Sequence, residues 1–103
     1  MAIPPVRLRP EEIAAVKRIV AEHYGAEAEL RVFGSRADLT KRGGDLDLHV
    51  RLAGPNPGWR VESRCVGAIE QALEDRHTDL LVLGTDETPR RIDEVAIATG
   101  VLL

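Results

Sequence analysis

The sequence predicts an α/β domain, a small mixed β-sheet of about three strands flanked by helices. Three observations predict it. Residues 45–52, DLDLHVRL, alternate apolar and polar without a break, the period of a strand with two unlike faces. Two longer segments, 10–24 and 60–76, repeat apolar residues at helical intervals. Short apolar runs, ELRVF and DLLVL, lie between these helical stretches, and strands that alternate with helices build layered α/β domains. A chain of 103 residues suits one domain, residues 1–103, with a core of modest size.

Taken in order, residues 10–24 (PEEIAAVKRIVAEHY) form the first helix. Pro10 suits its first position, and Glu11 and Glu12 suit the positive end of the helix dipole. Ile13, Val16, Val20 and Tyr24 mark its apolar stripe, and Gly25 is a fitting stop. Residues 29–33 form a strand that ends at Gly34. Ser35 can cap a short helix over residues 35–41, which Gly43-Gly44 then breaks. In DLDLHVRL, Leu46, Leu48, Val50 and Leu52 face the core, while Asp45, Asp47, His49 and Arg51 face away. AGPNPGWR, residues 53–60, is an internal loop. Residues 60–76 form a second long helix whose core face carries Val61, Cys65, Ala68, Ile69, Ala72 and Leu73. Residues 79–83 form the third strand. Thr88 and Pro89 offer a cap and first position for a last helix that runs to about residue 98.

Composition narrows the function. Aromatic residues are 3% of the chain, so the core is built from Leu, Val, Ile and Ala. The formal net charge is −3 and the pI about 5.6, which argues against broad electrostatic capture of nucleic acid. A single cysteine, Cys65, excludes an intrachain disulfide and fits a reducing cytoplasm. MAIPPVRLRPEE has no long apolar run, so no secretory leader is expected, and no stretch reaches membrane-spanning length.

The chemistry concentrates in FGSRADLTKRGGDLDLHV, residues 33–50. Two unpaired carboxylates on one strand face repel and resist desolvation, so Asp45 and Asp47 need a cation between them or an open, hydrated face. Residues i and i+2 of a strand reach the same point, and hard divalent cations take oxygen ligands of this kind. Gly34-Ser35, where a strand ends and a helix can begin, offers free backbone N–H groups and a hydroxyl, a small phosphate cradle. Each feature alone is also ordinary: a turn, or a solvated strand face. Asp79 opens the strand after a long helical crossover, a connection that returns the chain beside an earlier strand, so it can complete a three-carboxylate cluster.

The order strand, GS, short helix, DxD strand, long helix, strand with Asp resembles the minimal nucleotidyltransferases of the DNA polymerase beta-like superfamily. The motif stands here as GSRADLTKRGGDLDL, and EVAIATGVLL is similar to the family's usual ending. The chain departs from that pattern at Leu39, where Gly is frequent, at Gly44, and in ending on Leu rather than Tyr. The resemblance implies the nucleotidyltransferase fold and assigns roles. Gly34 and Ser35, with Arg36 beside them, would bind the terminal phosphates of ATP. Asp45, Asp47 and Asp79 would be the catalytic carboxylates and would hold two Mg2+ ions. Asp79 would also help to activate the acceptor hydroxyl. Mg2+-dependent transfer of AMP from ATP to a hydroxyl would follow.

The chain has little left over for an acceptor-binding domain. The resemblance implies a partner, a small helical HEPN-type toxin, for which this chain would be the antitoxin and whose hydroxyl it would modify. Three other readings stay open: a non-catalytic antitoxin or protein-binding subunit that keeps the fold, a metal-free subunit whose acidic face meets a basic partner, and a subunit of a small-molecule nucleotidyltransferase. Oligomerisation is open as well. Arg36 can touch phosphate or pair with Asp38. Lys41 and Arg42 can contact phosphate or sit in a solvated loop. His49 can act as base or ligand, or simply occupy the sheet face. Trp59 can pack at the start of its helix or stack on a base. Cys65, on an apolar helix face, reads as inert core.

Overall fold

A computed structural model of the chain describes residues 6–34 and 45–103. The elements run α1 (Pro10–Tyr24), β1 (Glu29–Phe33), β2 (Leu46–Arg51), α2 (Trp59–Ala72), β3 (Thr78–Leu83), α3 (Arg91–Thr99) and β4 (Val101–Leu102). Residues 35–41, read from the sequence as a short helix, and the Gly43-Gly44 turn lie outside the described residues.

Among the described residues the sheet has four strands rather than three, in the order β3-β2-β1-β4. β1 is antiparallel to β2 and to β4, and β2 is parallel to β3. The extra strand is two residues long, too short to carry a period, and it follows α3 with only Gly100 between. That glycine fits because it has no side chain: a Cβ there would collide with the Ala96 carbonyl and lie 3.1 Å from the Val32 carbonyl. The helix end can therefore lie against β1 while the chain turns into β4.

The parallel pair β2–β3 needs a crossover, and α2 supplies it. α1 and α2 pack against each other. Val16, Ile19 and Val20 of α1 and Cys65 and Ile69 of α2 join Leu46, Leu48, Val50, Leu80 and Val82 in one buried cluster. Burial pushes the Cys65 thiol up to about 11, which keeps it protonated and inert, as its place on the apolar face of the helix suggested. α3 packs on β1 and β2 from the other side, where it meets His49.

Both helix starts near the chain's charged segments are fixed by a carboxylate three residues in. The Arg9 N–H donates to Glu12 Oε1 at 2.9 Å, and the Arg90 N–H donates to Asp93 Oδ2 at 2.7 Å. This second cap sets the start of α3 at Arg91, beyond the Thr88-Pro89 start expected from sequence. α2 stops at Ala72, short of the expected residue 76, because Glu74 (φ 58°) and Asp75 (φ 64°) take left-handed conformations that no α-helix continues. Among the described residues no helix is long and apolar enough to cross a membrane.

Candidate functional site

The parallel register of β2 and β3 sets Asp47 directly beside Asp79. Leu46 pairs with Thr78, and the Leu46 N–H donates to the His77 carbonyl at 3.0 Å, so the ladder carries on past the strand ends and brings Asp45 to His77. On the antiparallel side Phe33 pairs with Asp47, which puts Gly34 at the same end of the sheet. Asp45, Asp47 and Asp79 thus come together with Gly34 where β1 ends and β2 and β3 begin. Ser35 and Arg36, assigned to phosphate by the resemblance, lie outside the described residues, as do Asp38, Leu39, Lys41, Arg42 and Gly44.

Asp47 is the least hydrated of the three carboxylates. Its pKa is raised above the ordinary 3.8, first by burial, then by the charges of Asp79 and Asp45 and by a hydrogen bond with Asp79; His77 opposes them. Repulsion from the neighbouring carboxylates, expected from the DLDL pattern, thus adds to the larger effect of burial at Asp47.

His77 was not singled out by the sequence reading. Its Nδ1 lies 3.2 Å from Asp45 Oδ2 and its Nε2 4.0 Å from Asp79 Oδ1. One ligand atom from each of Asp45, His77 and Asp79 can be chosen so that all lie within 4.8 Å of one another. The signal was in the sequence: His77-Thr78-Asp79 has the same i, i+2 spacing as Asp45-Leu46-Asp47, and in adjacent parallel strands the two pairs face each other.

His49, by contrast, does not join the carboxylates. α3 covers it completely, and its Nε2 is 2.8 Å from Asp93 Oδ1. The polar face of β2 therefore grades from exposed Asp45 through half-buried Asp47 to fully buried His49 within four residues. Trp59 does not meet the site either. It is 70% exposed, with the Arg60 guanidinium 5.3 Å from its ring centre, and it starts the helix that follows the far end of β2. Packing in the core or at the helix start therefore does not describe it. An apolar groove lined by Lys17, Val20, Leu30, Leu102 and Leu103 contains none of the site groups.

Gly34 has φ +71°, and a Cβ there would lie 2.5 Å from Asp47 Oδ2. Both facts call for glycine. Gly34→Ala is expected to destabilise the fold by about 1–2 kcal/mol, from the left-handed backbone alone, and to displace the Asp47 carboxylate. Denaturant unfolding, with Mg2+ titration of the folded variant, checks both parts.

The donor set fits a divalent cation. The two carboxylates Asp45 and Asp79 supply hard oxygen ligands, with His77 as a third donor; all three are exposed and leave room for coordinated water, and a cation there would also lower the repulsion felt by the neighbouring Asp47. A scan of protein-family models finds no match to this chain, and neither does a search of the curated proteins.

Proposed function

We propose that the chain is a minimal nucleotidyltransferase domain that moves the AMP of ATP onto a hydroxyl of a partner protein. One observation carries this reading: the parallel register of β2 and β3 pairs Asp47 with Asp79, and the antiparallel register of β1 and β2 sets Gly34 against the same Asp47 carboxylate. A carboxylate cluster and an exposed glycine main chain then share one sheet end, an arrangement that suits metal-assisted phosphoryl transfer.

Asp45, Asp47 and Asp79 would hold the Mg2+ ions, which when bound supply charge neutralisation on the attacking and leaving oxygens. Gly34 admits the nucleotide's phosphates close to the main chain. Asp79, 58% exposed at its side chain, is open to an incoming acceptor and takes the proton of its hydroxyl. The hydroxyl oxygen bonds to the α-phosphorus as the bond to pyrophosphate breaks. Ser35 and Arg36 are proposed to bind the terminal phosphates, as the sequence resemblance implies. The acceptor is proposed, on the same resemblance, to be a HEPN-type toxin in the cytoplasm, with this chain as its antitoxin.

Label transfer from α-labelled ATP tests the reading. Slow transfer by the isolated protein and fast transfer once the neighbouring gene's product is added is the expected result, because acceptor alignment can supply up to roughly 7–11 kcal/mol of the barrier. Rapid labelling of a free small alcohol, indifferent to any protein partner, would instead define a small-molecule transferase. No Mg2+-dependent ATP binding at all would leave a protein-binding subunit.

A further inference from the structure

We propose that His77 is a nitrogen ligand of the divalent cation held by Asp45 and Asp79, and that the site therefore takes first-row transition ions ahead of Mg2+. The proposal rests on the metal-site reading above and adds to it the identity of the ion.

The imidazole lies between the two carboxylates, one ring nitrogen toward each. Its position is fixed from both sides along the chain. The Arg76 guanidinium donates to Glu12 Oε2 at 3.0 Å, and the Thr78 N–H donates to Glu70 Oε2 at 2.9 Å. The His77 carbonyl itself accepts from Leu46. Burial alone would raise the proton affinity of Glu12, but the Arg9 N–H and the Arg76 and Arg9 charges outweigh it and keep Glu12 ionised for this anchor. The segment that carries His77 is thus tied to α1, α2 and β2, while the ring stays 61% exposed beside the two aspartates. A ring on so constrained a backbone can meet an ion with little loss of freedom.

Mg2+ favours an all-oxygen octahedron and gives up its waters reluctantly. Imidazole nitrogen favours first-row transition ions, whose affinity for such sites rises from Mn2+ onward. Two carboxylates with one imidazole therefore shift preference away from Mg2+, and the exposure of all three leaves positions for water or a phosphate oxygen.

Mn2+ is the probe, because it accepts both ligand types and is paramagnetic. The wild-type protein is expected to bind Mn2+ about tenfold more tightly than Mg2+, and His77→Ala to lose about tenfold in Mn2+ affinity with less than about twofold change for Mg2+. Pulsed electron paramagnetic resonance of the Mn2+-bound wild type should show coupling to an imidazole nitrogen that His77→Ala removes. Absence of that coupling, or unchanged Mn2+ affinity in His77→Ala, overturns the proposal. If Asp47→Asn still lowers affinity in that case, the carboxylate site stands without His77. If neither ion binds the wild type at millimolar concentration, the carboxylate reading fails and the ligand role of His77 with it.

Discussion

Asp93→Ala is expected to cost about 1–3 kcal/mol, the penalty for leaving the buried His49 ring without its partner, while the 55% exposed Arg90 side chain turns to water. Against a total stability of about 5–15 kcal/mol, that is a substantial share of the margin. Asp93 is fully buried and serves three groups at once. His49 Nε2 lies 2.8 Å from Oδ1, Arg90 Nε and Nη2 donate at 2.9 and 3.1 Å, and the Arg90 N–H caps α3 at 2.7 Å. His49 is buried as completely, and its Nδ1 has no hydrogen-bond partner among the described residues, so removing Asp93 strips its Nε2 of a partner as well. A denaturant melt measures the loss. His49→Leu combined with Asp93→Leu tests the cause: with both polar groups replaced by apolar ones, much of the lost stability should return.

The same carboxylate sets an acid limit. The Arg90 side chain, helped by the Arg90 N–H and His49 and opposed by burial, pulls the Asp93 pKa from 3.8 down to about 2. A lowered folded-state value means the contribution is complete above the ordinary value and disappears as pH falls through the folded one. Asp93 should therefore support the fold down to about pH 4 and release it progressively toward pH 2. An acid titration followed by far-ultraviolet circular dichroism should place this loss in that window in wild type.

The second large effect concerns Asp47→Asn. If the proposed function holds, Mg2+-dependent stabilisation and the proposed nucleotidyl transfer should fall by about a hundredfold or more in affinity or rate, since even supporting residues of metal sites are worth 10–100-fold. Without metal the variant should be more stable than wild type, by about 0.2–1 kcal/mol after solvent screening of a partly hydrated group. The sign follows from the raised pKa: ionised Asp47 opposes folding, so its stabilising contribution is present below about pH 3.8 and lost as pH rises through the folded value. The gain from Asn should accordingly appear at neutral pH and vanish in acid. Thermal melts of both proteins, with and without Mg2+, at two pH values test all of this. Equal Mg2+ stabilisation of the two proteins would remove the metal site from Asp47.

How far the sequence could be read depended on what kind of information each residue carried. Periodicity and end signals are local, and they placed α1 and β1 on the observed bounds and assigned the faces of β2. They could not say what lies on a face. His49 and Asp47 share one side of β2, yet α3 buries the first and leaves the second partly hydrated, a difference set by a helix forty residues later. β4 was missed because two residues hold no pattern. The early end of α2 was missed because Glu74 and Asp75 are unusual occupants of left-handed backbone. Trp59 was expected to pack or stack, and its exposure depends on which end of the sheet α2 starts from. Convergence of Asp45, Asp47 and Asp79 was legible because DxD and a crossover strand constrain register. His77 obeyed the same spacing rule but sat outside the apolar run that drew attention to β3.

The exposure of Trp59 also decides how this protein can be watched. It is the chain's one tryptophan, and its ring already lies in water in the folded state. Intrinsic emission should thus peak near the wavelength of the unfolded chain and change little on denaturation, so a flat fluorescence trace would not mean a missing transition. Because the indole stands at the opposite end of the sheet from the carboxylates, ion or nucleotide addition should leave its emission nearly unchanged. A protein that docks on the start of α2 would shift it, which makes this side chain an optical label for that surface.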